Sequence, residues 1–194
     1  MRELLHNNFS RHVSLTDKEF EITWSLFREK KYRKKQYILQ EGEISRVETF
    51  IAKGCTRTYE VNDSGQEHIL QFGIEDWWIG DLYSFLTETP SRYNIDCIED
   101  CEVLQITKEN LEELYRTVPK MERFFRIIIQ NAFNAAQQRI LYTISKPAAE
   151  RYYDFIRKYP AIEQRVADHH IASYLGIAEE TLSRIRKKRN RSTR

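Results

Sequence analysis

The chain has 194 residues, 41% of them hydrophobic and 31% charged, with a formal net charge of +2. That length suits one domain or two small ones with an ordinary buried core. The sequence holds no apolar run of membrane-spanning length and no signal-peptide pattern, and the three cysteines, Cys55, Cys97 and Cys101, lack paired metal-ligand spacing, so the reading is a cytoplasmic protein with small core thiols.

The small net charge hides an asymmetry. From Lys146 to Arg194 there are 12 basic and 6 acidic residues, net +6, and the remainder carries 19 against 23, net −4. Seven of the eleven residues from Arg184 onward are basic and none is acidic. An acidic front and a basic back predict two domains, of which only the back one meets a polyanion.

In chain order, residues up to about Lys31 are predicted helical, with Leu15, Phe20, Ile22, Trp24, Leu26 and Phe27 as apolar positions and Ser14 or Thr16 as a cap. From Tyr37 to Ile106 short β-rich runs alternate with turn signals at Lys53-Gly54, Asn62-Asp63-Ser64-Gly65 and Gly73, the pattern of a small barrel or jelly roll. Pro119 to Ser145 reads as one long helix. Its apolar stripe is Phe125, Ile129, Phe133, Ala136, Ile140 and Ile144, with Phe124, Ile128 and Ala135 off it, so two sides need cover. A parallel dimer is the preferred reading and burial in the core of one chain the other. Ser145-Lys146-Pro147 marks a break, and Pro147 to Lys158 the next helix, stopped at Tyr159-Pro160.

The end of the chain runs short helix, Gly176-Ile177 turn, second helix, basic tail. That order suits a helix-turn-helix whose second helix lies in the major groove of double-stranded DNA. With Leu182 and Ile185 facing the core, Glu180, Ser183, Arg184 and Lys187 fall on an exposed side and are the expected base-reading residues. The competing reading of Glu180 and Arg184 is a surface ion pair at i,i+4. Arg186, Lys188, Arg189 and Arg191 are expected to serve phosphates.

Three stretches carry a resemblance to the Crp/Fnr family of bacterial transcription regulators: Tyr37 to Glu43, Trp78 through Val103, and Ile171 to Lys187. The resemblance implies an α+β fold in three parts. Residues 1–118 would be a double-stranded β-helix, jelly-roll-like and cyclic-nucleotide-binding-like, with N-terminal helices. Residues 119–145 would be a long dimerisation helix, and residues 146–194 a helical helix-turn-helix domain. It implies a non-enzymatic, homodimeric DNA-binding regulator, with RNA polymerase as a candidate partner. Glu180 and Arg184 match positions the family uses for base contacts, while Glu179 stands where many members have Arg. The span from Pro160 to Asp168 leaves little room for the family's β-hairpin wing.

The same resemblance places an effector cassette at Gly80, Asp81 and Leu82, with Ser91 at the position of the family's phosphate-binding Arg, Arg92 beside it, and Gln137 near the base-contact positions of the long helix. Asp81 is one methylene shorter than the family's Glu. On a strand, a one-residue offset turns Arg92 to the opposite face. Cyclic AMP is therefore one candidate effector and an unidentified effector the favoured one. Trp77, Trp78, Tyr83, Phe85 and Tyr93 crowd the cassette, as core or as lining. His68, His169 and His170 are read as non-ligating. The alternative function is a small-molecule-binding module whose C-terminal helices contact proteins.

Overall fold

The computed structural model describes residues 1–192, with side chains as far as Arg189, so the expectation for Arg191 lies outside the described side chains. Two short helices open the chain, α1 (Arg2–Ser10) and α2 (Asp17–Ser25). α2 begins with a reciprocal capping box: Thr16 Oγ1 accepts from Glu19 N at 3.3 Å, and the Glu19 carboxylate accepts from Thr16 N at 2.7 Å. The helix expected to reach Lys31 stops here. Arg28–Tyr32 is instead strand β1, paired antiparallel with β8 (Cys101–Thr107). Arg28-Glu29-Lys30-Lys31 has good helix propensity, but pairing with a buried strand overrides it, and its four exposed charges suit a sheet edge.

Between them run β2 (Tyr37–Leu39), β3 (Val47–Lys53), β4 (Thr56–Val61), β5 (Glu67–Gly73), β6 (Trp78–Ile79), helix α3 (Leu82–Thr87) and β7 (Asn94–Cys97). The strands form two antiparallel four-stranded sheets, ordered β1-β8-β3-β6 and β2-β7-β4-β5, which gives the expected jelly-roll-like β-roll. β5 is an edge strand, and its outer backbone groups need partners from elsewhere.

α4 (Lys108–Thr117) and the 26-residue α5 (Lys120–Ser145) follow. The start of α5 closes the first core. Met121, Phe124 and Phe125 pack with Leu5, Phe9, Phe50 and Leu104, and Trp78 stands among the phenyl rings with its indole N–H donating to Asn8 Oδ1 at 3.0 Å. Beyond Ile128 the apolar stripe emerges into solvent: Phe133 is 61% exposed and Ile144 80%.

At Lys146 the backbone turns extended, and α6 (Ala148–Lys158), α7 (Pro160–Arg165), α8 (Asp168–Leu175) and α9 (Glu179–Ser192) make a helical unit. Its core is not separate from the roll. Tyr152, Phe155, Ile162, Ile171, Leu175 and Leu182 cluster with Tyr59, Ile69 and Phe72 of β4 and β5 and with Cys55 just before β4. No β-hairpin wing is present among the described residues, and no described helix is long and apolar enough to cross a membrane.

Phe124 is fully buried and meets Phe9 edge-to-face at 4.8 Å. Phe124→Ala is expected to lower the unfolding free energy by about 3–5 kcal/mol, read from urea unfolding.

Candidate nucleic-acid interface and effector cassette

α8 ends on Gly176, which takes the left-handed conformation (φ 64°) and donates its N–H to Ser173 O at 3.0 Å. A residue with a Cβ is strained there, so glycine fixes the sharp turn into α9. Thr181 N and Leu182 N then bond Ala178 O and start the second helix. Leu182 is buried and Ile185 packs on the same core. Glu179, Glu180, Arg184, Lys187 and Lys188 are exposed, and Ser183 is half-buried on that side. Arg184 donates to Thr181 Oγ1 at 3.1 Å. Among the described residues no ion pair joins Glu180 to Arg184, so the surface-pair reading finds no support.

Two of the expected phosphate contacts lie differently. Arg186 turns inward: it pairs with Asp168, donates from Nε to Tyr152 Oη at 3.1 Å, and lies 3.6 Å from Glu163. Arg189 pairs with the same Glu163 at 2.9 Å. Tyr152 and Glu163 need these cations because both are enclosed, so the basic face that remains outward is narrower than its composition suggests.

The other face of α8 is bolted to the roll. Ser173 Oγ accepts from Ile69 N at 2.9 Å and donates to Glu67 O at 3.0 Å, which satisfies the open edge of β5. Arg139 of α5 adds a bond to Leu70 O at 2.7 Å. Arg57 on β4 forks onto Asp96 at 2.8 and 2.9 Å, pairs with Glu67, and donates toward the His170 ring at 3.0 Å. Burial first, then the charge of Arg57, holds the His170 imidazole down to about 4, so it is a neutral acceptor. Below, Arg165 makes two forks, onto Glu75 at 2.7 and 2.9 Å and onto Glu99 at 2.7 and 2.9 Å. None of Arg57, Arg165 or Ser173 stood out in the sequence, since their partners are remote in the chain.

Of the cassette residues Gly80, Asp81, Leu82 and Ser91, the structure brings Asp81 and Ser91 together, and these two satisfy one another. Asp81 caps α3, accepting from Ser84 N at 3.1 Å, and its second oxygen accepts from the buried Ser91 Oγ at 2.8 Å. Arg92 points away, 81% exposed and paired with Glu60 at 3.0 Å, but it sits on a bend before β7 (Asn94–Cys97), so the strand offset expected for it does not apply. Gln137 is exposed on α5, and Leu82 is largely exposed. Trp78 and Phe85 belong to the core, Trp77 packs on Tyr159 of the helical unit, and Tyr83 faces solvent.

A residue that the sequence reading missed stands behind the cassette. Glu48 of β3 lies so close that a Cβ on Gly80 would meet its Oε2 at 2.9 Å, and its Oε1 is buried with no partner. Burial, reinforced by the Asp81 charge, pushes this carboxyl up to about 8. Two carboxyl groups, Asp81 and Glu48, thus lie beside Gly80, while Arg92 points away from them.

Residues 29–118 match the family model of the cyclic nucleotide-binding domain. The chain is 27% identical over 164 residues to the transcriptional activator protein anr of Pseudomonas aeruginosa, covering 79% of this chain and 66% of the relative. It is also 27% identical over 171 residues to the fumarate and nitrate reduction regulatory protein of Vibrio cholerae, covering 81% and 67%. The chain thus spans about two thirds of the length of these curated relatives. Among solved structures, FixK2 from Bradyrhizobium japonicum superposes with a TM-score of 0.72 at 22% identity, covering 86% of each chain. The Thermus thermophilus catabolite activator protein gives 0.57 at 21%, covering 93% and 86%.

In the unfolded chain Glu48 titrates near 4.5, and in the fold near 8. The native state therefore holds the extra proton, and stability is full below the lower value and is lost as pH climbs through the upper one. Glu48→Gln removes that loss. Chemical unfolding at pH 9 is expected to show the variant more stable than the parent by about 1–3 kcal/mol, with no such gain at pH 4. Parallel pH profiles would show that the carboxyl is not desolvated.

Proposed function

We propose that the chain is a homodimeric, non-enzymatic transcription regulator of the Crp/Fnr type that reads double-stranded DNA with α9, a reading supported by the cyclic nucleotide-binding domain match and by the likeness to the anr activator and to FixK2. The observation that carries this reading is the α8–Gly176–α9 turn with Glu180, Arg184 and Lys187 outward and Leu182 inward. A recognition helix needs that split between a buried anchor and a solvent-facing row near its N-terminus. Arg184 is assigned bidentate donation to guanine, Glu180 acceptance from a cytosine amine, and Ser183 and Lys187 the flanking contacts. Lys188 is assigned to the phosphate backbone. Arg186, held by Asp168, Tyr152 and Glu163, is assigned to bracing α9 rather than to DNA.

Residues 1–118 serve as the sensing roll, 119–145 as the dimer seam and 146–194 as the reading unit. The solvent-facing stripe of Ile129, Phe133, Ile140 and Ile144 supports the seam, because an apolar face of that length is otherwise left in water. Three buried free thiols suit a cytoplasmic setting. RNA polymerase is carried as a partner by the resemblance alone. The roll takes an effector other than cyclic AMP: the Asp81–Ser91 pair fills the phosphate position, and Glu48 adds a second carboxyl behind it.

Calorimetric titration with cyclic AMP is accordingly expected to give no heat of binding. Saturation at micromolar ligand would overturn the closed-cassette reading. Arg184→Ala is expected to cost about 1–3 kcal/mol on a cognate duplex and to relax preference at one base pair, while Lys188→Ala chiefly lowers the salt dependence. Equal loss on cognate and random duplexes for Arg184→Ala would rule out base reading by that residue.

A further inference from the structure

The roll carries a concentration of charge that runs against its own sign. Six of the eight residues from Arg28 to Lys35 are basic and one is acidic, within residues 1–145, whose net charge is −4. Lys31 and Arg33 of this run line an open cleft of about 550 Å3, together with Gln36, Lys53, Asp100 and Glu102. That volume is ordinary for a small-molecule site.

Two backbone features aim cations into the cleft. β8 lies between β1 and β3, and Glu102 stands opposite Lys31 on one side and Lys53 on the other. In an unbroken register Ala52 would face Glu102, and Lys53 would face Cys101, which belongs to the core. A bulge between Ile51 and Lys53 removes that offset and turns Lys53 outward, in one row with Lys31. Beyond β1, Gln36 N donates to Arg33 O at 3.0 Å and Arg33 N donates to Gln36 Oε1 at 2.6 Å, closing a turn. Lys35 takes φ 70° there, a conformation that favours glycine, and Lys34 N donates to Asp100 Oδ1 at 2.8 Å. The turn thus holds three successive cations exposed.

Their charge is largely unmatched. Lys31 meets Glu102 at 3.5 Å and is still 75% exposed, while Arg33, Lys34, Lys35 and Lys53 form no ion pair among the described residues. Arg57, Arg165 and Arg186 are by contrast all paired. Like charges gathered in one place repel, and an anion that bridges them relieves that repulsion.

We propose that this cleft binds a small polyphosphate, a molecule with a diphosphate or longer phosphate chain, through Lys31, Arg33 and Lys53. Arg33 suits a fork onto one phosphate, and the two lysine ammoniums act as point charges on its neighbour. Gln36 commits its side-chain oxygen to Arg33 N and keeps its NH2 to donate. The carboxylates set the size of the ligand. Asp100 and Glu102 compete for the same cations, so a single phosphate gains little and a chain of phosphates outweighs them. A duplex is a convex rod and does not enter a concave cleft of this size. The site is apart from the Gly80–Leu82 turn, since Glu48, beside Gly80, and Lys53 stand near opposite ends of β3. It does not depend on DNA reading by α9.

The test uses the full chain at fixed ionic strength, titrated in a calorimeter with inorganic triphosphate and, separately, orthophosphate. Triphosphate is expected to saturate and to bind at least about tenfold more tightly than orthophosphate. Lys53→Ala and Arg33→Ala each remove an exposed cation and are each expected to weaken triphosphate about tenfold. The double variant Lys187→Ala, Lys188→Ala, which takes outward cations from α9, is expected to bind triphosphate as the parent does. Acetylation of Lys31 and Lys53, read by mass spectrometry, is expected to fall when triphosphate is present. Absence of triphosphate binding would overturn the proposal, as would binding that survives Lys53→Ala and Arg33→Ala or that is lost in the α9 variant. Protection of Lys31 and Lys53 by a random duplex but not by triphosphate would overturn it too, and would assign these cations to a nucleic-acid backbone.

Discussion

Arg57 brings a guanidinium on a β-strand into the seam between the roll and the C-terminal helices, where its side chain keeps only 12% of its exposure. A cation there is tolerated only if its donors are matched, and the matching sets much else. Asp96 must sit one strand over, on β7, to take the fork. Glu67 must approach from β5. His170 must remain neutral, which its depressed pKa secures. Three strands and one helix are thus held in register by one charge, and α8 cannot slide along β5 without leaving that charge unmet. Ser173 adds direction to the lock, because its hydroxyl reads one N–H and one C=O two residues apart on the open edge of β5.

What was legible in the sequence is what local physics controls. The α8–α9 pair could be read because Gly176 and the Leu182/Ile185 spacing are short-range signals, and the roll because glycine and asparagine turns punctuate it. The long helix could be read, and so could its double apolar face. β1 could not: a run of charges favours helix locally, and only pairing with β8, some seventy residues away, makes it a strand. The seam was equally hidden. Arg57 meets His170 across 113 residues and Arg165 meets Glu75 across 90, and no periodicity encodes such pairs. Arg186 illustrates the reverse error, since a basic residue in a basic tail looks available for phosphate until Tyr152 and Glu163 are found enclosed beside it.

The turn from Gly80 to Leu82 shows polar groups satisfied within the fold itself. Asp81 is short enough to turn back onto Ser84 N and cap its own helix, and Ser91 is placed to take the other oxygen. Once a polar group is satisfied internally, any ligand must break those bonds before it gains new ones, which lowers its net gain. Glu48, held neutral by burial and by the Asp81 charge, supplies no cation beside that pair.

The continuous apolar cluster from Tyr59 and Phe72 to Leu175 and Leu182 means that the helical unit cannot leave the roll without exposing its core. Large separation is therefore costly, and the motion available to a signal is a small shift of α7 and α8 over a mostly preserved apolar contact. Such a shift is decided by the polar pins, since these change abruptly with distance while apolar contact changes gradually. The pins lie at Arg165, His170 and Ser173, within nine residues of one another, just before the Gly176 turn that fixes α9. Any influence that prefers one position of this segment redistributes the orientations of α9 by the difference in its free energy between the two, and by nothing else.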